Sequence, residues 1–193
     1  MTGTGRTIPA DYFRELYRTD SDPWDFATSA YEHAKYEATL AALPRARYDS
    51  ALELGCANGV FTAMLAAHCD AVLAVDVSPD ALATARERCA HLPHVSFNCV
   101  DLGTSFPSGV FDVVTFCELG FYFAEEDLMR IELGIARSLQ RGGTLALVHW
   151  TPPVDGHAMS ADDVHEFFID SPAFAHERGA RTDRYRLDVF HRR

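Results

Sequence analysis

Between residues 48 and 150 the chain alternates between short apolar runs that suit buried parallel strands and longer stretches whose apolar side chains return at helical spacing. Strands are predicted over 49–54, 71–76, 94–99, 111–117 and 144–150, with helices near 59–68, 79–91 and 125–139. Such an alternation builds an α/β fold, a doubly wound and mostly parallel sheet with helices on its faces. Ser78-Pro79 has the form of a helix start, and Gly142-Gly143 is expected at the exit from the helix that precedes the fifth strand. A proline turn at Thr151-Pro152-Pro153, a helix over 160–169 and two strand-like stretches near 173–178 and 184–190 follow. These last two are expected to form an antiparallel edge hairpin, unlike the strand arrangement of a dinucleotide-binding Rossmann domain.

The pattern ahead of this core is different. Residues 1–10 are small and polar and are expected to form a disordered tail. Tyr12, Phe13, Leu16 and Tyr17 then recur at roughly helical spacing, which predicts a short helix over 11–17. Asp22-Pro23-Trp24-Asp25-Phe26 reads as a turn carrying two large aromatics, and Ser29 caps a helix over 29–43 that Pro44 ends. No linker, repeat or low-complexity stretch intervenes, so residues 11–47 are read as an N-terminal helical cap on the core of residues 48–193, a single domain of 193 residues.

Composition narrows the partners. A formal net charge of −11 without a cluster of Lys or Arg argues against nucleic acid, whose phosphates need a basic face. The five cysteines, Cys56, Cys69, Cys89, Cys99 and Cys117, show no CxxC spacing and read as buried small hydrophobes in a reducing compartment. No apolar signal core or membrane-length stretch is present, so the expectation is a cytoplasmic protein that does not enter membranes and is a monomer or homodimer.

The chemistry concentrates after the first strand. In Leu52-Glu53-Leu54-Gly55-Cys56-Ala57-Asn58-Gly59 an apolar run ends in a loop of small residues that opens a helix, a place where free backbone N–H groups meet the polar groups of a nucleotide-like ligand. Asp76, closing the second strand, stands where a carboxylate accepts hydrogen bonds from two ribose hydroxyls. Asp101, after the third strand, can accept an adenine amino group. Glu53 before the loop is read as indirect support for the ligand, or as a core salt bridge.

These residues resemble the class I S-adenosylmethionine-dependent methyltransferases. Glu53-Leu54-Gly55-Cys56-Ala57-Asn58-Gly59 is similar to their motif I, Asp76-Val77 to motif II and Asp101-Leu102 to motif III, while Phe111-Asp112-Val113-Val114 and Leu139-Gln140-Arg141-Gly142-Gly143-Thr144-Leu145 resemble the fourth- and fifth-strand motifs. Ala57 departs from the pattern, standing where many of these enzymes carry a glycine. More narrowly, Asp22-Pro23-Trp24, Tyr31-Glu32, Lys35-Tyr36, the Gly-Cys-Ala form of motif I and Asp163-Val164-His165 resemble the nodulation protein S family, whose named member N-methylates a deacetylated chitooligosaccharide. The resemblance implies a class I methyltransferase fold, S-adenosyl-L-methionine as cofactor, S-adenosyl-L-homocysteine as product, and methyl transfer to N or O of a small molecule such as an amino sugar or a natural-product intermediate.

Ligands of such sheets bind at the carboxyl ends of the strands. The cofactor set is therefore expected to be Gly55, Cys56, Ala57, Gly59, Asp76, Val77, Asp101, Leu102, Cys117 and Glu53, with Trp24 and Tyr31 either folding over the cofactor as a lid or serving as core aromatics. His149, at the end of the fifth strand, is the first choice for a base because its ordinary pKa near ~6.5 suits proton uptake at neutral pH. Glu118 and Tyr122, beyond the fourth strand, would orient an amine or hydroxyl. His157 and His165, with Asp162 and Asp163 nearby, lack a metal-ligand spacing and are expected around a solvated helix start, so no metal is expected. A cofactor-binding scaffold is the alternative outside enzymes. An NAD(P)-linked oxidoreductase is disfavoured because Gly55-x-Ala57-x-Gly59 is not GxGxxG.

Overall fold

Strand β1 (Ala51–Leu54) is buried at all four positions. It is flanked in parallel by β2 (Val72–Asp76) and β4 (Phe111–Cys117), and helices cover both faces. Around it the computed structural model, which describes residues 5–193, builds a seven-stranded sheet in the order β3-β2-β1-β4-β5-β7-β6. β3 (Val95–Cys99) and β5 (Leu139–Trp150) extend the parallel part. β7 (Tyr185–Arg192) runs antiparallel to β5 and pairs with β6 (Phe174–Arg181), the edge hairpin expected from the sequence.

Alternation along each strand sorts its side chains between two cores. Leu52, Val114, Phe116, Leu145 and Leu147 face α5 (Glu125–Ser138) and α6 (Ala161–Ile169), together with Ile131, Phe168, Phe174 and Phe190. Ala51, Val113 and Ala146 face the other side, with Tyr36 of α2 (Ala30–Ala42), Phe61 and Leu65 of α3 (Val60–Ala66) and Leu82 of α4 (Pro79–Arg88). The helix starts follow their caps. Ser29 Oγ accepts from Glu32 N–H, Ser78 Oγ from Ala81 N–H, and Ser160 and Asp163 form a reciprocal capping box.

Three expectations are corrected here. Gly142-Gly143 do not mark a helix exit: α5 ends at Ser138 and the chain enters β5 at once. Phe111 pairs with Leu139 and Val113 with Thr144, so residues 140–143 bulge out of the ladder opposite Asp112, with Gly142 at φ 73°. Residues 5–10 are ordered. Gly5 N–H donates to Ala158 O (3.1 Å), Ile8 N–H to Tyr122 O (2.8 Å), and Ala124 N–H to Thr7 Oγ1 (2.8 Å), before α1 (Ala10–Thr19) begins. Backbone bonds rather than side-chain burial hold this stretch, which is why its composition concealed it; the rest of the expected tail, residues 1–4, lies outside the described residues. Finally, Cys99 is exposed and Cys117 half-buried, because β3 is an edge strand and Cys117 ends its strand at a cavity. Among the described residues no helix is long and apolar enough to cross a membrane.

Candidate active site

A cavity of about 650 Å³ opens at the carboxyl ends of β1, β2 and β4, roofed by residues 7–10, α1 and the Trp24 turn. Its volume lies within the usual range of ligand clefts. One side is formed by the loop after β1, in which Gly55 (φ 76°), Ala57 (φ 51°) and Gly59 (φ 79°) are all left-handed. A Cβ on Gly55 would meet Leu119 Cδ2 at 2.9 Å, and one on Gly59 would meet the Cα of Ala85 in α4 at 2.9 Å. Ala57 carries a Cβ in the same conformation, held there by its N–H donating to Asp76 Oδ2 (2.9 Å). Asn58 ties the loop to the cap by donating to Asp22 Oδ1 (2.8 Å).

Asp76 also accepts from Ser78 N–H through Oδ1 (2.9 Å). Burial pushes its carboxyl above the ordinary range against the pull of these N–H bonds. Asp101 accepts from Gly103 N–H (2.9 Å), and Val100, Leu102 and Thr104 line the cavity beside it. Because β1, β2 and β3 are neighbours in the sheet, the loop, Asp76 and Asp101 form a row, and an elongated ligand lying across these strand ends meets each in turn.

Beyond β4 the site changes character. Glu118, itself at φ 52°, accepts from Trp150 N–H through Oε2 (2.8 Å) and pairs closely through Oε1 with Lys35 Nζ. The same ammonium lies 2.8 Å from Glu32 Oε2. Burial works against the charge of Lys35, but Glu118 and Glu32 outweigh it and raise its pKa. Burial raises the Glu118 carboxyl, and Lys35 offsets this only in part. Two carboxylates thus share one ammonium, and both of them line the cavity with Tyr122, Phe121, Trp150 and His157.

Of the residues picked from the sequence, Trp24, Gly55, Ala57, Asp76, Val77, Asp101, Leu102, Cys117, Glu118 and Tyr122 line this one cavity. Five do not. Gly59 and Cys56 are buried behind the loop they shape. Glu53 lies beneath it, its Oε2 buried without a hydrogen-bond partner among the described residues and its carboxyl pushed up to about 7 by burial. Tyr31 packs edge-on against Trp150 at 5.7 Å and so buttresses the wall from outside. His149 is fully buried and is not available as a base: its Nε2 accepts from Gly120 N–H (2.9 Å) and its Nδ1 meets His165 Nε2 (3.0 Å). Its position on β5 turns the ring toward α6 instead of out of the strand end. His165, expected at a solvated helix start, is likewise fully buried.

Lys35, Glu32 and Tyr17 also belong to the site, although none was expected there. The hydroxyl of Tyr17 is buried at the cavity without a partner among the described residues, and burial together with the charge of Asp76 raises its pKa. The only signals for these residues were the Tyr31-Glu32 and Lys35-Tyr36 pairs and the helical spacing of Tyr17.

A parallel sheet in this order, closed by an antiparallel hairpin and carrying the acid-lined row at its strand ends, is the class I methyltransferase fold. Within that class the chain belongs to the nodulation protein S family: the family model described as Nodulation protein S (NodS) matches residues 11–178. Nodulation protein S of Rhizobium tropici is 32% identical over 126 residues, covering 64% of this chain and 53% of the relative. That of Bradyrhizobium diazoefficiens is 37% identical over 106 residues, covering 54% and 50%. The chain thus spans about half the length of the curated relatives it matches. A Pseudomonas syringae protein whose crystal structure is provisionally described as that of a methyltransferase is 34% identical, with TM-score 0.74, and 85% of this chain and all (100%) of that chain are covered. The N-methyltransferase NodS from Bradyrhizobium japonicum WM9, in complex with S-adenosyl-L-homocysteine, superposes with TM-score 0.80 at 22% identity over 96% of this chain and 99% of that one.

Proposed function

We propose that this protein transfers the methyl group of S-adenosyl-L-methionine to an amine nitrogen of a small molecule, such as an amino sugar, and releases S-adenosyl-L-homocysteine. The observation that carries the cofactor assignment is the row of three on adjacent strands: the Gly55–Gly59 loop, whose Gly55 and Ala57 line the cavity, and Asp76 and Asp101, which line it beside them. The fit is chemical. Asp76 keeps lone pairs for the two ribose hydroxyls while its N–H partners hold it in place, Asp101 accepts from the adenine amino group, and the orphaned Tyr17 hydroxyl donates into the same end. Glu53 is buried beneath the loop, and Trp24 closes over the ligand from the cap.

The bound sulfonium supplies a methyl carbon already activated for in-line displacement, so the protein's task is positioning, exclusion of water and handling of one proton. In the balance, the carbon–sulfur bond breaks as the carbon–nitrogen bond forms, and the nitrogen gives up a proton. Among the described residues Glu32 and Glu118 share one ammonium, that of Lys35, which leaves one negative charge over at the acceptor end. That charge attracts a cationic amine, and Glu118, whose carboxyl burial has raised, takes its proton. Phe121, Tyr122 and Trp150 wall the acceptor. An oxidoreductase is disfavoured by the antiparallel β7 beside β5, and the open cavity favours an enzyme over a scaffold.

On this reading residues 11–47 and 48–193 act as one catalytic domain, a monomer or homodimer in the cytoplasm, with no nucleic-acid partner. Calorimetry with S-adenosyl-L-homocysteine tests the cofactor, and mass spectrometry of reactions with deacetylated and fully acetylated chitooligosaccharides tests the acceptor atom. Binding, with methylation of the deacetylated sugar alone, is expected. Absence of binding refutes the cofactor assignment, and equal methylation of the acetylated sugar moves the reaction to oxygen.

A further inference from the structure

The cavity wall at Gly120–Tyr122 is a 3-10 turn, and a buried chain of hydrogen bonds runs away from it to the far edge of the sheet. Gly120 N–H meets His149 Nε2 at 2.9 Å, His149 Nδ1 meets His165 Nε2 at 3.0 Å, and His165 Nδ1 meets Asp188 Oδ2 at 2.6 Å. His149 and His165 are fully buried and Asp188 nearly so. The protons of this chain have one arrangement. A backbone N–H can only donate, so His149 Nε2 must be bare. The neutral ring then carries its proton on Nδ1, which requires a bare Nε2 on His165, and His165 in turn donates from Nδ1 to a carboxylate that can only accept. Asp188 is held ionised by Arg186 Nε at 2.7 Å and His176 Nε2 at 2.6 Å.

From this geometry we infer that His149 is a positioning residue: its tautomer, set through His165 by Asp188, fixes the Gly120 turn and with it the aromatic wall of the acceptor site. The wall consists of Phe121 and Tyr122, which the turn carries into the cavity. Phe121 stacks on His157 at 4.2 Å and packs edge-on against His149 itself at 5.3 Å. The turn has no slack. A Cβ at Gly120 would meet Val164 Cγ1 at 2.5 Å and His149 Nε2 at 3.0 Å, so α6 and β5 close on it from both sides. The arrangement resembles the way a buried carboxylate fixes the tautomer of a catalytic histidine, except that the last partner is a backbone amide rather than a nucleophile. That the wall receives a methyl acceptor rests on the function proposed above.

The test has two parts, so that failure of that function and failure of this inference are told apart. In the wild-type protein, nitrogen NMR of the imidazoles should find His149 with Nε2 bare and Nδ1 protonated, and Gly120 N–H should be protected from exchange. A protonated Nε2, or a rapidly exchanging Gly120, overturns the inference whatever the protein binds. His149→Phe keeps the ring but removes the acceptor, whereas His149→Gln restores a carbonyl oxygen for the Gly120 N–H. S-adenosyl-L-homocysteine affinity should stay within about threefold in both, while the KM for a deacetylated chitooligosaccharide rises about tenfold or more in His149→Phe with a smaller change in kcat. His149→Gln should recover most of that loss. Equal defects in the two variants, or a loss of cofactor affinity matching the loss of acceptor affinity, would reduce His149 to a packing residue. A wild-type protein that binds no S-adenosyl-L-homocysteine sinks the proposed function and leaves the NMR result to decide the tautomer chain.

Discussion

Replacing Lys35 by Met isolates the joint between the helical cap and the sheet. Its side chain is only 2% exposed, and the two carboxylates it serves are exposed by 12% (Glu32) and 18% (Glu118). Met conserves most of the volume, so the loss is electrostatic: Glu118 retains a single N–H from Trp150 and Glu32 loses its cation. Breaking a buried pair from one side costs ~3–5 kcal/mol, and the residual exposure of both acids places this case at the lower end, ~3 kcal/mol. For a domain of this size that corresponds to a fall in Tm of about 6–12 °C by calorimetry. The pH dependence supplies a second check. Without the ammonium the folded-state pKa of Glu118 rises further above its unfolded value, so stability is lost as pH rises through the carboxylate range and regained as pH falls toward about 4.3. The Lys35→Met/Glu118→Gln double variant should recover part of the loss. A Tm change under about 2 °C, or a deficit that does not shrink on acidification, would refute the shared-ammonium account.

Asp76→Ala removes the acceptor for two ribose hydroxyls at ~1.5–3 kcal/mol each, so S-adenosyl-L-homocysteine affinity measured by calorimetry should drop by at least ~100-fold; a change under threefold would clear Asp76 of that role. Ala57→Gly relieves a left-handed alanine and should raise Tm by about 2–4 °C with cofactor affinity intact, whereas a lower Tm would mean that the loop imposes no strain. Burial, aided by His165, depresses the pKa of His149, and burial depresses that of His165 despite Asp188. Their folded forms therefore bind protons more weakly than the unfolded chain, and stability from this pair is complete above about pH 6.5 and falls below it by up to ~1.4 kcal/mol per pH unit for each histidine. Urea melts between pH 5 and 7.5 should show a steeper acid loss than in His165→Phe; that comparison is needed because Glu53, Asp76 and Glu118, with raised values, push the other way. Parallel curves would refute it.

The strands and helices were legible because each is written locally, in alternation, caps and turn residues. The cofactor row was legible for a related reason: its members sit at strand ends, and strand ends can be read. What escaped depends on which surfaces meet. Lys35 reaches Glu118 across 83 residues of sequence, and nothing near either one announces the other. His149 fell at a strand end, as expected, but the strand period leaves open which of its two faces α6 will cover, and that choice separates a base from a buried ring. Residues 5–10 looked structureless because their order comes from backbone bonds to the Tyr122 and Ala158 segments.

Those same bonds fasten the strip over the cavity at Gly5 and Ile8, with Thr7 pinned to Ala124 and Asp127. Each such fastening is worth about 1 kcal/mol net, so peeling the strip back costs far less than disturbing the sheet beneath it. For anyone handling the protein this sets an asymmetry: Gly5 is fastened next to the strip over the cavity, whereas Arg193, whose N–H is tied to Ala173, lies by the hairpin edge of the sheet, so a tag is better carried after Arg193.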